Sequence, residues 1–263
     1  MIELKNDELI YVQKEGIEYI QFKRLLEYGV KHAYTLKMPN IDFGFNSKYH
    51  DESYKKLCDA LGIDKDSVLE PHQKHTDLVK CISKLEDLDE TENVDGLITD
   101  KNGIALTTKN ADCILFVFYD PVKKVICNVH SGWRGTFKKI SEKAVQKMLD
   151  NYGCSAEDIL CFISPSIRED HFEVDADVKE LCEEIFRFTG KLNEFIKVGQ
   201  VIDNIQKYNI DTVLINKILL ENLGLKSENI IDSNLCSVCN GEYIESVRVD
   251  GENSGRATFI VSL

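Results

Sequence analysis

Three stretches of this 263-residue chain put reactive side chains together in unusual local sequence. Pro71-His72-Gln73-Lys74-His75-Thr76 offers two imidazoles at His-x-x-His spacing. That pattern alone fits a polar surface turn as well as half a metal site. Asn110-Ala111-Asp112-Cys113 sets a carboxylate directly before a thiol at the mouth of an apolar run. A carboxylate in that position must be solvated, capped or functional. His130-Ser131-Gly132-Trp133-Arg134-Gly135-Thr136 holds the only tryptophan, with a glycine on either side of Trp133-Arg134. Glycine lets a ligand come close to the main chain, a helix N-terminus favours an anion, and Arg134 could add a bidentate grip. The competing structural reading buries Trp133 in the core and spends Arg134 on a salt bridge.

His75, Cys113 and His130 together supply two imidazoles and one thiolate. That donor set suits tetrahedral zinc with its fourth position open to water. Zinc would hold Cys113 as the thiolate and bring the pKa of a bound water towards neutrality. The intervals of 38 and 17 residues carry no local signature, so a nucleophilic Cys113 with His130 as its base is a rival built from the same residues. Cys236-Ser237-Val238-Cys239 is half a structural zinc site or a redox dithiol, with no second pair to complete it. His32, His50 and His171 have no ligand-like company in the sequence and read as structural or surface residues.

The elements that must position these groups alternate between strand and helix. Helical spacing covers 47–61, with Gly62 as a stop, and resumes over 136–151 with Phe137, Ile140, Ala144 and Met148 on one stripe ending at Gly153. Residues 175–188 and 206–223 read as amphipathic helices. Strands are expected at 77–82, 95–99, 113–119, 125–130, 159–163 and 256–263. Asp120-Pro121 marks a turn that makes 113–130 an antiparallel hairpin. The hairpin breaks a simple βαβ rhythm, so the expected fold is a layered α/β sandwich with mixed sheets flanked by helices. No linker, repeat or long single-sign block interrupts 1–263, which reads as one domain; the acidic patch 86–92 reads as a solvated loop.

Composition excludes several function classes. A formal charge of −13 argues against a general nucleic-acid or anionic-membrane binder, although a local basic pocket is compatible with it. The apolar run 114–119 is far shorter than the roughly 20 residues a membrane-spanning helix needs. The N-terminal MIELKNDEL lacks a signal peptide's basic start and apolar stretch, so a cytoplasmic protein is expected. In that compartment the nine cysteines should be free thiols, most of them small core residues.

Taken in order, the segments resemble one family, the bacterial proteins long labelled multicopper polyphenol oxidases or laccase domains. They are also called peptidoglycan editing factors and are better described as zinc-dependent purine nucleoside phosphorylases. The resemblance rests on Gln73-Lys74-His75, Ala111-Asp112-Cys113 and His130 to Thr136. It extends through Ser164-Pro165-Ser166-Ile167, Phe172-Glu173-Val174, Leu235-Cys236-Ser237 and Gly255-Arg256. It implies His75, Cys113 and His130 as the metal ligands and catalytic centre, selecting His75 over His72. It also implies a layered sandwich akin to cysteine hydrolases. The implied activity is phosphorolysis of adenosine, inosine, guanosine and methylthioadenosine, with adenosine deamination as a second activity. Two segments depart from the family pattern. Ser246-Val247-Arg248-Val249-Asp250 lacks one arginine, and Tyr34-Thr35-Leu36-Lys37-Met38 lacks glycines.

The resemblance makes purine nucleosides and phosphate the expected ligands. Arg134, Glu173 and Arg248 are the expected substrate-binding residues, with Arg134, Arg248 and helix N–H groups meeting anions. Asp112 and Glu173 are candidates for moving protons, and Phe43, Phe45 or Phe172 for an aromatic wall. Zinc is the expected cofactor and copper the lesser alternative. Copper-dependent phenol oxidation is the runner-up activity, and six histidines are too few for a multicopper centre. A cysteine hydrolase or peptidoglycan-editing factor would use the same Cys/His pocket. A non-enzymatic metal-binding or partner-binding module is the remaining reading.

Overall fold

The computed structural model describes residues 6–90 and 93–263. The start of the N-terminal segment and the end of the acidic patch therefore lie outside the described residues. Of that patch, Leu85–Glu90 forms a short 3-10 helix.

Two six-stranded mixed sheets lie face to face. The first runs in the order Leu9–Lys14, Ile17–Phe22, Lys31–Thr35, Ala257–Ser262, Ala105–Asn110 and Val68–Leu69. The second runs Ile230–Asp232, Leu160–Ile163, Ile114–Asp120, Val125–Ser131, Gly96–Thr99 and Val79–Cys81. Most neighbours are antiparallel, while Val68–Leu69, Ile230–Asp232 and Val79–Cys81 join their sheets in parallel. The expected hairpin is present, with Ile114 opposite Ser131 and Asp120 opposite Val125.

The continuous apolar run of Ile114–Asp120 follows from burial on both faces. Leu115, Val117 and Tyr119 meet Phe22, Leu106 and Phe259 of the first sheet in the central core. Ile114, Phe116 and Phe118 point the other way, onto the helices Ile140–Tyr152 and Thr212–Leu223. The helix His50–Leu61 covers the outer face of the first sheet through Tyr54, Leu57 and Cys58. Buried Asn128 ties the two sheets, its Nδ2 donating to the carbonyls of Phe259 (2.6 Å) and Leu106 (3.0 Å). The result is helix, sheet, sheet, helix, the layered α/β class expected from the sequence.

Two expected helices are corrected. Within 206–223, Ile205–Ile210 is a strand in a third, three-stranded sheet with Ile196–Ile202 and Glu173–Val174. The helix begins only at Thr212, where the Asp211 carboxylate accepts from the Leu214 N–H at 2.8 Å; the cap fixes the boundary. Within 136–151, the five-residue helix Trp133–Phe137 ends before Lys139, whose φ of +60° breaks the chain from Ile140–Tyr152. Among the described residues no helix is long and apolar enough to cross a membrane.

Candidate metal centre

His75, Cys113 and His130 come from three different segments and meet with their donor atoms all within 4.8 Å of one another. Cys113 stands immediately before the strand Ile114–Asp120, and His130 lies near the end of its hairpin partner. The pairing of Leu115 with His130 brings the 17-residue interval to one end of the sheet. His75 arrives on the loop after Val68–Leu69. That loop is fastened by Gln73, whose side chain donates to the Lys109 carbonyl and accepts from the Lys109 N–H, each at 2.7 Å.

Asp95 organises two of the three candidate ligands, and the sequence reading missed it. It is fully buried at the start of Gly96–Thr99. One oxygen sits 2.7 Å from His130 Nδ1 and accepts from the His75 N–H at 3.1 Å. The other accepts from the Thr76 N–H and hydroxyl at 2.6 Å each. These bonds hold the loop with His75 at φ +57° and leave His130 Nε2 for the cluster. A carboxylate behind a ligating imidazole fixes the ring's tautomer and orientation. The available signal was an acid opening an apolar strand, the same signal that singled out Asp112.

The electrostatics follow from these contacts. Burial raises the Asp95 carboxyl, but the hydrogen bonds from His130 and Thr76 outweigh it and hold the group at about 2. Burial alone would lower His130, yet Asp95 and Cys113 push it up to about 9. Burial raises Cys113, and the two imidazoles reverse that, bringing its thiol down to about 6. The metal-free site therefore favours a thiolate beside a cationic imidazole.

The cluster fits a tetrahedral soft-to-borderline cation. Zn–S and Zn–N bonds of ordinary length put a bound sulfur and nitrogen about 3.6 Å apart. Here Cys113 Sγ and His75 Nε2 are 3.9 Å apart. The glycine before Trp133 keeps the cradle open. A Cβ on Gly132 would lie 2.6 Å from His75 Cδ2 and 3.2 Å from Cys113 Sγ.

Two cavities meet at Cys113 and Val247. One, of about 810 Å³, is polar; His75, Cys113 and His130 share its wall with Gln73, Lys109 and Arg256. The other, of about 290 Å³, is more apolar, bounded by Trp133, Ile167, Phe172 and Arg248. In the polar lobe Lys109 lies 3.1 Å from the Phe45 ring centre and 3.0 Å from Glu70. Burial lowers this ammonium to about 8, with Glu70 opposing.

The other candidates fall in distinct places. Arg248 lines the apolar lobe and donates to the His171 carbonyl at 2.8 Å. Its N–H also donates to Asp112 at 2.8 Å. Asp112 accepts as well from the Ser237 and Ser246 hydroxyls at 2.6 Å each. Arg134 is exposed over the Trp133 ring at 4.2 Å, and Glu173 sits in the short strand Glu173–Val174; neither lines either cavity. Phe45 lines the polar lobe and Phe172 the apolar one, whereas Phe43 is core, edge-on to Tyr54. His72 stacks on Phe45 and is not among the clustered donors. His32 is fully buried with its ring bonded to backbone, and His50 pairs with Glu70 at 2.9 Å.

Fold and site together define a layered α/β protein with a His/His/Cys cluster at the junction of two cavities. The chain belongs to the multi-copper polyphenol oxidoreductase laccase family, whose profile matches residues 41–263. It is 31% identical over 216 residues to purine nucleoside phosphorylase LACC1 of Mus musculus, covering 81% of this chain but only 47% of the mouse protein. It therefore spans about half the length of that relative. It is 32% identical over 207 residues to adenosine deaminase RL5 from an unknown prokaryotic organism, covering 76% of each. The crystal structure of YlmD from Geobacillus stearothermophilus superposes with a TM-score of 0.81 at 21% identity, covering 96% of this chain and 98% of that one. That likeness establishes the shared fold.

Proposed function

We propose that this chain is a zinc-dependent purine nucleoside phosphorylase, with adenosine deaminase activity at the same centre. The observation that carries the reading is the convergence of His75, Cys113 and His130 where the polar and apolar lobes join. The relatives named purine nucleoside phosphorylase and adenosine deaminase support it.

Zinc held by the three ligands would supply Lewis acidity at that junction. The remaining work belongs to the protein. Asp95 keeps His130 aimed at the cluster, and Gly132 leaves the space. Trp133 and Phe172 give a purine an apolar wall, and Arg248 at that wall meets negative charge developing on the departing base. Lys109 and Arg256 in the polar lobe face the phosphate and ribose. This assignment rests on Arg248, Lys109 and Arg256; Arg134 and Glu173 stand outside the lining of both lobes.

A zinc-loaded sample given adenosine and phosphate should release adenine and a ribose phosphate. Inosine formed without phosphate reports the deaminase reaction. Cys113→Ala should lose both activities together with the zinc of this centre. If the zinc-loaded protein turns over no purine nucleoside, the reading fails.

The rival cysteine-nucleophile reading draws on the lowered Cys113 thiol, and alkylation separates the two. Zinc should protect Cys113 from iodoacetamide if it is a ligand. Multicopper phenol oxidation finds little support in the histidines, because His32, His50 and His72 are held by backbone, Glu70 and Phe45.

A further inference from the structure

A second cluster of soft donors lies outside the site described above. His171, Cys236 and Cys239 place one ring nitrogen and two sulfurs all within 4.8 Å of one another. The Cys-x-x-Cys pair, incomplete in the sequence, acquires its imidazole from a turn 68 residues away, with His171 Nε2 3.2 Å from Cys239 Sγ. That separation and the 3.9 Å of the first cluster bracket the roughly 3.6 Å between nitrogen and sulfur on one tetrahedral zinc. We propose that His171, Cys236 and Cys239 form a second zinc site, distinct from the His75–Cys113–His130 centre, with solvent completing the coordination.

The donors are pinned by bonds that do not depend on a metal. Cys236 lies between two backbone bonds to one residue: the Ser166 N–H donates to the Leu235 carbonyl (3.2 Å), and the Ser237 N–H donates to the Ser166 carbonyl (3.0 Å). The Cys236 carbonyl accepts from the Asn240 N–H at 3.1 Å and side chain at 2.8 Å, which closes the turn carrying Cys239. On the other side, His171 sits in the turn Glu169–His171. The preceding Arg168 is anchored through a two-pronged pair with Asp232 at 2.9 and 2.8 Å. A preorganised donor set of one imidazole and two thiols selects zinc or another thiophilic ion over calcium or magnesium.

The site also has a structural task. His171 precedes Phe172, which walls the apolar lobe, and its carbonyl holds Arg248. Ser237 follows Cys236 and holds Asp112. A metal joining the two turns would fix that wall without touching the first centre.

The test is zinc uptake by the reduced full chain, measured by elemental analysis after gel filtration. Wild type should carry about two equivalents, with about one each in Cys239→Ser and Cys113→Ala. Cys239 is exposed, so its replacement leaves the core intact. Cobalt(II) gives a second readout on a chain that keeps the pair. Cys113→Ala should show thiolate-to-metal charge-transfer absorption that falls by about half or more in Cys113→Ala/Cys239→Ser. Zinc content unchanged by Cys239→Ser, or no thiolate absorption in cobalt-loaded Cys113→Ala, would overturn the proposal. Loss of metal in Cys239→Ser with none lost in Cys113→Ala would sustain this site while sinking the first.

Discussion

Gly132→Ala isolates the geometry of the first cluster with a single methyl group. Gly132 has φ −69° and ψ 174°, a conformation open to any residue, so the substitution carries no backbone strain. Its whole cost is steric. The new Cβ would stand 2.6 Å from His75 Cδ2, about 1 Å inside an ordinary carbon–carbon contact. His75 is exposed and can swing aside, so the metal-free protein should lose less than the 1–3 kcal/mol typical of an overpacked core, about 1 kcal/mol or less. A metal site tolerates ligand shifts of only about 0.2 Å, so the same swing removes a ligand. Zinc affinity should fall at least ~100-fold and kcat/KM with it, measured by competition with a chromophoric chelator and by adenine release. Combining Gly132→Ala with His75→Ala supplies the control, because removing the clashing ring should make the alanine nearly neutral and the pair strongly non-additive. Wild-type zinc affinity in Gly132→Ala would refute the cradle. Additive losses in the double variant would show that the methyl acts elsewhere.

Arg248→Ala should keep a full zinc complement yet lower kcat/KM for phosphorolysis roughly 10- to 100-fold, the equivalent of one charge-assisted hydrogen bond; unchanged kinetics would remove Arg248 from the substrate wall. His32 makes stability depend on pH. Burial drives its ring from 6.5 down to about 4, against the bond from its Nδ1 to the Val30 carbonyl, so the unfolded chain takes up the proton first. Stability is therefore full above pH 6.5, falls as pH drops from 6.5 through 4, and levels off below, for a total of about 3 kcal/mol. Urea unfolding of His32→Gln should show a shallower pH slope across that window, and a slope equal to wild type would refute the assignment.

The parts legible in the sequence were those with strong periodicity or strong punctuation. The hairpin Ile114–Ser131 announced itself by an apolar run and Asp120-Pro121, and the helix His50–Leu61 by its spacing and Gly62, which closes it at φ +63°. Ala105–Asn110 went unread although every residue in it is buried. Its Thr107, Thr108, Lys109 and Asn110 look like a loop, and only their partners across two sheets and a cavity make them a strand. Gln206–Ile210 failed for the opposite reason, because its apolar positions blend into the helix that follows and only the Asp211 cap divides them. At the site, residue types singled out the histidine and cysteine segments, while their meeting depends on register between strands far apart in sequence. The partnership of His171 with Cys239 is of the same kind, since spacing cannot show a contact across 68 residues.

Two carboxylates divide the labour around Cys113, and substitution can separate their roles. Asp95 binds backward into the proposed metal arm, accepting from the loop of His75 and orienting His130. Asp112 binds forward into the proposed substrate arm, gathering Ser237, Ser246 and the Arg248 N–H. Asp95→Asn keeps the shape but replaces an accepting oxygen with a donor that opposes either the His130 ring N–H and the His75 amide, or the amides of Lys74 and Thr76. Zinc affinity should drop about 10- to 100-fold, the cost usual for a carboxylate behind a ligating histidine. Asp112→Asn must turn a donor towards either the two hydroxyls or the Arg248 N–H. The hydroxyls can rotate to accept and the amide cannot, so the loop of Arg248 stays in place only if the asparagine oxygen faces it. The metal should then remain bound while KM for the nucleoside rises. The discriminating measurement is zinc content against KM on the same preparations. If Asp112→Asn loses zinc as Asp95→Asn does, the two arms are one network and the division is wrong.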